Sequence, residues 1–483
     1  MMKPLSLAIA TGLALDVSGA LHVYGLADAR GGTREFITAS ILLVLAGFWL
    51  MARPARRAPA DVRVPLWVAF LPAVAGVLSI SDILTFVSRD WTPVRFAVFG
   101  VGTVALLLLA LRRAPAAYVA MVALALGTAL RIIHMRHVPL EPARGDMLPL
   151  VQGALANLME GRSPYTTYFM PWELPLTYLP LTWLAYAPAY LLRIDLRWTN
   201  IVAEVAVLGA AFFVARHAHG GYRRSAVDTT FLLWAWLFLS PTVIHWDMIT
   251  SAPIGWAAIA WTLALVATAR PRAASIALGL SAATTPLIIV FGPLIGLCWW
   301  RGGGLRDALG KGALAVVLAS IVLLPWIIWA PGPFWEGNVG WFNDLDRFPR
   351  MKWETEHTWA EMVGFSGFFW SYGQERWLKP VQFALVSLAA ALYMARGASR
   401  ADLHHYAAGI FLLFMLFNPV LWPYLYNPAL VAALLAVAGA GATNGSAPRR
   451  HGDTEQETVS RIAPMLTWPD RRARAEHHRL VDS

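Results

Sequence analysis

The chain has 483 residues, of which 58% are hydrophobic and only 14% charged, and its mean hydropathy is +0.53. This composition excludes a soluble globule, because apolar runs of about 18–23 residues recur along most of the length and each can cross a bilayer's hydrocarbon core. The net charge of +10 does not point to nucleic acid: the arginines sit in short clusters between apolar runs, the pattern of cytoplasmic loops.

In lipid every backbone polar group needs an internal partner, so the expected fold is an all-α polytopic membrane protein. Taken in chain order, the candidate spans are 5–27, 36–52, 65–87, 94–111, 115–135, 198–216, 227–245, 250–269, 308–330, 379–396, 404–418 and 422–439, with a further short pair within 273–300. Residues 1–111 read as an N-terminal four-helix extension, 112–439 as the membrane core, and 440–483 as a polar tail expected to be disordered and cytoplasmic. Asp16 and His22 interrupt the first run, which is expected to be a retained span rather than a cleaved signal peptide. The single cysteine, Cys298, rules out an intramolecular disulfide and reads as a packed thiol.

Arginine positions set the topology. The clusters are Arg53/Arg56/Arg57/Arg63, Arg112/Arg113, Arg216/Arg223/Arg224, Arg270/Arg272, Arg301/Arg306/Lys311 and Arg396/Arg400. Placing all six in the cytoplasm requires an even number of crossings between successive clusters. The segment Leu174–Leu192, with Pro175, Pro180 and Pro188, must then lie on the outer surface instead of spanning. The run 273–300 must enter and return, with a break at Thr284-Thr285-Pro286, as a re-entrant hairpin or two short tilted helices. Both termini are then cytoplasmic, and loops 136–197 and 331–378 and the turn at His245-Trp246-Asp247 face outward.

The loop 136–197 carries most of the chemistry. It runs from the turn Glu141–Asp146 into an amphipathic segment, Met147–Glu160, with Leu148, Val151, Leu155 and Leu158 on one face. Such a helix can lie flat on the membrane, apolar side down. Asp146 at its start is either an N-cap or an ionised carboxylate able to accept a proton from a substrate hydroxyl. Gly161-Arg162-Ser163-Pro164-Tyr165 follows, then Pro171-Trp172-Glu173-Leu174-Pro175 and a Pro-rich aromatic ribbon. Glu173 beside Tyr165, Tyr168 and Trp172 suits a sugar ring, or else an interfacial aromatic belt. Asp247 reads as a partner for Asp146 or as a solvated span end, with His245 as donor or ligand. Asp146, Asp247 and His245 are the only candidates for a divalent cation, and no tight ligand spacing accompanies them. Arg144 and Arg162 are candidate phosphate contacts, because a guanidinium matches phosphate oxygens. Lys352 and His357 form a weaker outer-loop pair. Asp82 and Glu204, inside spans, need partners or water and read as polar contacts between helices.

The order of an outer-loop Asp146, an amphipathic helix, Gly161–Tyr165, a Pro-rich aromatic segment, Asp247 two spans on, the Thr285-Pro286 hairpin and the late turn Asn418-Pro419-Val420-Leu421-Trp422-Pro423-Tyr424 resembles the GT-C fold glycosyltransferases that use polyprenyl-phosphate sugars. It is similar in particular to the bacterial polyprenol-phosphomannose-dependent mannosyltransferase group, over about residues 115–439. The resemblance implies an inverting transfer of a hexose, most simply mannose, from a polyprenyl-phosphate donor to a lipid or glycan hydroxyl. It makes Asp146 the catalytic base and Asp247 the acid of the next outer loop, with no nucleic-acid partner and no cofactor required beyond a possible divalent cation. The chain departs from the group in having Thr285 before the hairpin proline and in its first four helices. Two rival readings stay open: a transporter or lipid flippase, which would use Asp16, Asp82 and Glu204, and a non-catalytic envelope assembly partner.

Overall fold

A computed structural model describes residues 92–344 and 364–439 apart from short gaps (113, 143–144, 171–172, 219–223, 240, 367–368, 370–371 and 420–422), together with a few residues within 41–49. Residues up to Ala442 form one compact unit and Thr443–Ser483 a second, which lies outside the described residues. The expected spans 5–27 and 65–87 and the expected tail from 440 also lie outside them.

Helices account for most of the described backbone. The first are α1 (Thr92–Leu111), α2 (Ala116–His137) and α3 (Met147–Met159). After α3 come two three-residue strands, β1 (Thr167–Phe169) and β2 (Glu173–Pro175), and two five-residue helices, α4 (Pro180–Leu184) and α5 (Ala187–Leu191). The bundle continues with α6 (Arg197–Ala218), α7 (Arg224–Leu239), α8 (Pro241–Ile249), α9 (Ala252–Ala267), α10 (Pro271–Ala282) and α11 (Gly292–Trp329), then α12 (Leu378–Ala395), α13 (Leu403–Leu416) and α14 (Asn427–Gly439).

Among the described residues, four helical stretches are long and apolar enough to cross a membrane: Ala117–His137, Arg197–His217, Pro286–Trp329 and Glu375–Ala395. By contrast α9, α13 and α14 have 16, 14 and 13 residues. At 1.5 Å per residue the longest of these reaches about 24 Å, short of a hydrocarbon core of about 30 Å. Their apolar residues point all round because protein surrounds them: every residue of α14 from Asn427 to Ala438 is buried, as is all of α13 except Phe414. An all-round apolar sequence marks a helix at the centre of a bundle as readily as one in lipid.

The expected span 227–245 divides instead into α7 and α8, with the second helix starting at Pro241, where a proline without a donor suits a first turn. In the run 273–300, α10 ends at Ala282, and a 3₁₀ turn over Pro286–Phe291 leads into α11. The carbonyls freed at this break are taken up from outside: Leu181 N–H donates to Ala283 O at 3.0 Å, and the Thr182 hydroxyl donates to Thr284 O. The α10–α11 corner therefore meets α4, and neither α4 nor α5 is long enough to span. Helix α11 is two helices joined at Gly304, whose φ of 82° suits glycine alone. Helix α1 packs along α2, across the position 111/112 where extension and core divide in sequence.

The loop 136–197 is not wholly helical as expected. β1 and β2 pair antiparallel, Tyr168 opposite Leu174. Tyr168 holds the ribbon to α3, because its hydroxyl donates to Pro164 O at 2.6 Å and accepts from Asn157 Nδ2 at 3.1 Å. Helix α3 ends in a Schellman motif: Arg162 N–H reaches Asn157 O at 2.8 Å and Gly161 N–H reaches Leu158 O at 3.1 Å, with Gly161 at φ 72°. The apolar face of α3 does not rest on lipid. Leu148, Leu150, Val151, Ala154 and Leu155 are buried with Trp183, Tyr186, Phe334 and Trp341 in a second core, separate from the main one. Polar backbone in a loop this long needs a packed lobe to close it, and the aromatic ribbon supplies one.

Candidate functional site

Asp146 occupies the N-cap position of α3, yet its side chain makes no capping hydrogen bond and its backbone is α-helical, at φ −76° and ψ −20°. The carboxylate instead acts electrostatically on two phenols, Tyr178 of the Pro-rich ribbon and Tyr424 of the late turn. Burial, with Asp146 beside it, holds the Tyr178 hydroxyl well above the ordinary phenol value. The Tyr424 hydroxyl points to Met147 Sδ at 3.6 Å. Asp146 itself is only partly buried. The late turn thus reaches the start of α3, where Asp146 keeps an aqueous side, and a carboxylate so placed is able to take a proton from a hydroxyl.

Asp247 departs from expectation. It does not lie on a solvated turn but inside α8 with no exposed surface, and Arg131 Nη2 donates to its Oδ2 at 2.8 Å. The same nitrogen donates to Glu204 Oε1 at 2.9 Å. Arg131, also fully buried, is tethered by Nη1 to Phe238 O at 2.9 Å and lies over the Phe238 ring at 3.8 Å. Phe238 in turn stacks on Trp234 at 4.7 Å and 18°. A charge inside a bundle is tolerable only when it is paired, as Arg131 pairs with both acids. Glu204 is accordingly the interhelical contact expected of it, and Asp247 is its companion. Arg131 escaped the sequence reading, although an arginine and an acid of opposite sign in neighbouring spans are the available signal.

The two aspartates lie on adjoining backbone without sharing a cavity. A Cβ on Gly145 would come within 2.9 Å of Ile249 Cβ, so the residue before Asp146 abuts the end of α8. Asn200 bridges the lobes: the Tyr186 hydroxyl donates to its Oδ1, and its Nδ2 donates to Asp247 O and, at 2.8 Å, to Thr250 O.

Tyr165 is not a sugar platform. It is 1% exposed, donates from its hydroxyl to Tyr178 O at 3.0 Å and packs 4.7 Å from Phe334. Glu173 is exposed on β2, and Arg162 is exposed in a surface ion pair with Glu160. Arg144, Trp172, Lys352 and His357, and the side chain of His245, lie outside the described residues. Among the described residues no group of three or more His, Cys, Asp or Glu side chains comes together. With Asp247 bonded to a guanidinium, it and Asp146 do not fit a shared divalent cation.

The described residues are mostly helical, and four of their helices are long and apolar enough to cross a membrane, which is compatible with an all-α membrane protein. No family model matches the chain, and neither does any curated protein or solved structure.

Proposed function

We propose that the chain is an integral-membrane glycosyltransferase that moves a sugar, most simply mannose, from a polyprenyl-phosphate donor to a hydroxyl on a lipid or glycan at the outer face of a bacterial inner membrane. The observation that supports this reading is that Tyr424 of the late turn reaches Met147, next to a partly exposed Asp146, which joins two distant segments of the layout that resembles such enzymes. Asp146 acts as general base. The acceptor oxygen attacks the anomeric carbon from the face opposite the phosphate, the C–O bond to phosphate breaks, the polyprenyl phosphate leaves with that electron pair, and the hydroxyl proton passes to Asp146. Exposed Arg162 is a candidate for steadying the leaving phosphate. Asp247, sealed behind Arg131, positions the wall beneath the site and touches no substrate.

Membranes containing the protein are incubated with radiolabelled polyprenyl-phosphate sugars, and the label is followed into lipid or polysaccharide. Asp146→Asn removes the base without changing shape, so transfer falls by about 10²–10⁴-fold while thermal stability holds. Transfer at the wild-type rate in this variant would end the mechanism. A second reading, a transporter or flippase, draws support from the ionisable residues inside the bundle. It is favoured if purified protein in liposomes moves a lipid across the bilayer without altering it covalently.

A further inference from the structure

We propose that Glu204 and Asp247 form a proton-binding site at the centre of the bundle, holding one exchangeable proton between two carboxyl groups that share the Arg131 guanidinium. The inference stands apart from the sugar-transfer reading and needs no catalytic step.

Charge and geometry carry it. One cation faces two acids, and both acids bond to a single nitrogen, Arg131 Nη2, at 2.9 Å and 2.8 Å. Arg131 and Asp247 are fully buried and Glu204 is 5% exposed. With both acids ionised the group would carry a net negative charge out of reach of water, which an apolar bundle disfavours strongly. Two acceptor oxygens, Glu204 Oε2 and Asp247 Oδ1, have no donor. A proton on either carboxyl removes the excess charge and turns a surplus acceptor into a donor for the other acid.

Among the described residues, helix α2 brings Arg131, bonded to both acids, and, one turn on, the buried His134. The sequences of α9 and α14 contain no titratable residue. On α7 the one described acid, Asp228, sits in the opening turns, away from Trp234 and Phe238 at the far end. Tyr186, from the outer lobe, gives its hydroxyl to Asn200, and the side chain of His245 on α8 lies outside the described residues.

Glu204 also lines a cavity of about 50 Å³ with Trp234, Phe238, Trp256, Asn427 and Leu434. Apart from Glu204 and Asn427 its lining is formed by apolar and aromatic side chains.

The full-length protein in phosphatidylcholine vesicles, studied by infrared spectroscopy in potassium buffer, tests this. At neutral pH a carboxylic-acid C=O band is expected, shifted in D₂O, lost in Glu204→Gln and in Asp247→Asn, and retained in Asp146→Asn. Raising the pH should remove the band with release of about one proton per chain, a reading that the wild-type protein gives even if a variant fails to fold. The proposal is overturned if the wild type shows no such band, if the band survives in both Glu204→Gln and Asp247→Asn, or if sodium in place of potassium abolishes it, which would mark a cation site instead.

Discussion

Arg131 and Asp247, 116 positions apart in sequence, meet in a fully buried ion pair 2.8 Å long, and Glu204 completes the knot from a third helix. This contact ties α2, α6 and α8 together, and the end of α8 abuts Gly145, the residue before Asp146. Removing the cation strands two acids in an apolar interior. Arg131→Met should therefore destabilise the protein by about 3–5 kcal/mol. Adding Glu204→Gln and Asp247→Asn to it should recover most of that loss. Thermal unfolding in detergent reads both effects, and equal stabilities for wild type and Arg131→Met would contradict the buried pair.

Gly145 gives a way to move Asp146 without changing its chemistry. A methyl group there meets Ile249 Cβ at 2.9 Å and Ile249 O at 3.2 Å, so the chain must give way at the start of α3. Gly145→Ala should lower sugar transfer roughly 10–100-fold through misplacement of the base, with only a modest loss of stability. Side-by-side transfer rates and melting temperatures separate the two.

The outer lobe depends on Trp183, which is fully buried, packs edge-on to Trp326 at 4.9 Å and donates from Nε1 to the Tyr165 hydroxyl at 3.3 Å. Trp183→Ala should cost about 3–5 kcal/mol. Limited proteolysis should then cut within 136–197 sooner than in the wild type, and unchanged protection would show that the lobe does not rest on this residue.

Tyr168 supplies a pH test outside the membrane segments. Burial pushes its hydroxyl up from 10.0 to about 12, with the Asn157 hydrogen bond and the Arg162 charge opposing the rise. Because the folded value lies above the unfolded one, the stabilisation is fully present below pH 10.0 and is lost as pH rises through about 12. Absorbance titration of tyrosinate against unfolding midpoints should show this component, and Tyr168→Phe should lack it.

What the chain determined alone was its relation to solvent. Apolar runs of spanning length call for helices in lipid, prolines at 175, 180 and 188 forbid a long helix there, and Thr284-Thr285-Pro286 breaks the run 273–300. The helix from Met147, with Asp146 at its N-cap position, was equally legible, because helical period is local. Only the tertiary structure decided which apolar helices face lipid and which face protein, since α13 and α14 read the same either way. It alone moved Asp247 from a solvated turn into the core. Arg131, near the basic end of α2 beside His134, Arg136 and His137, looks from sequence like one more terminal charge. Whether such a charge meets water or a carboxylate depends on helices that arrive from elsewhere in the chain, and no local pattern records their approach.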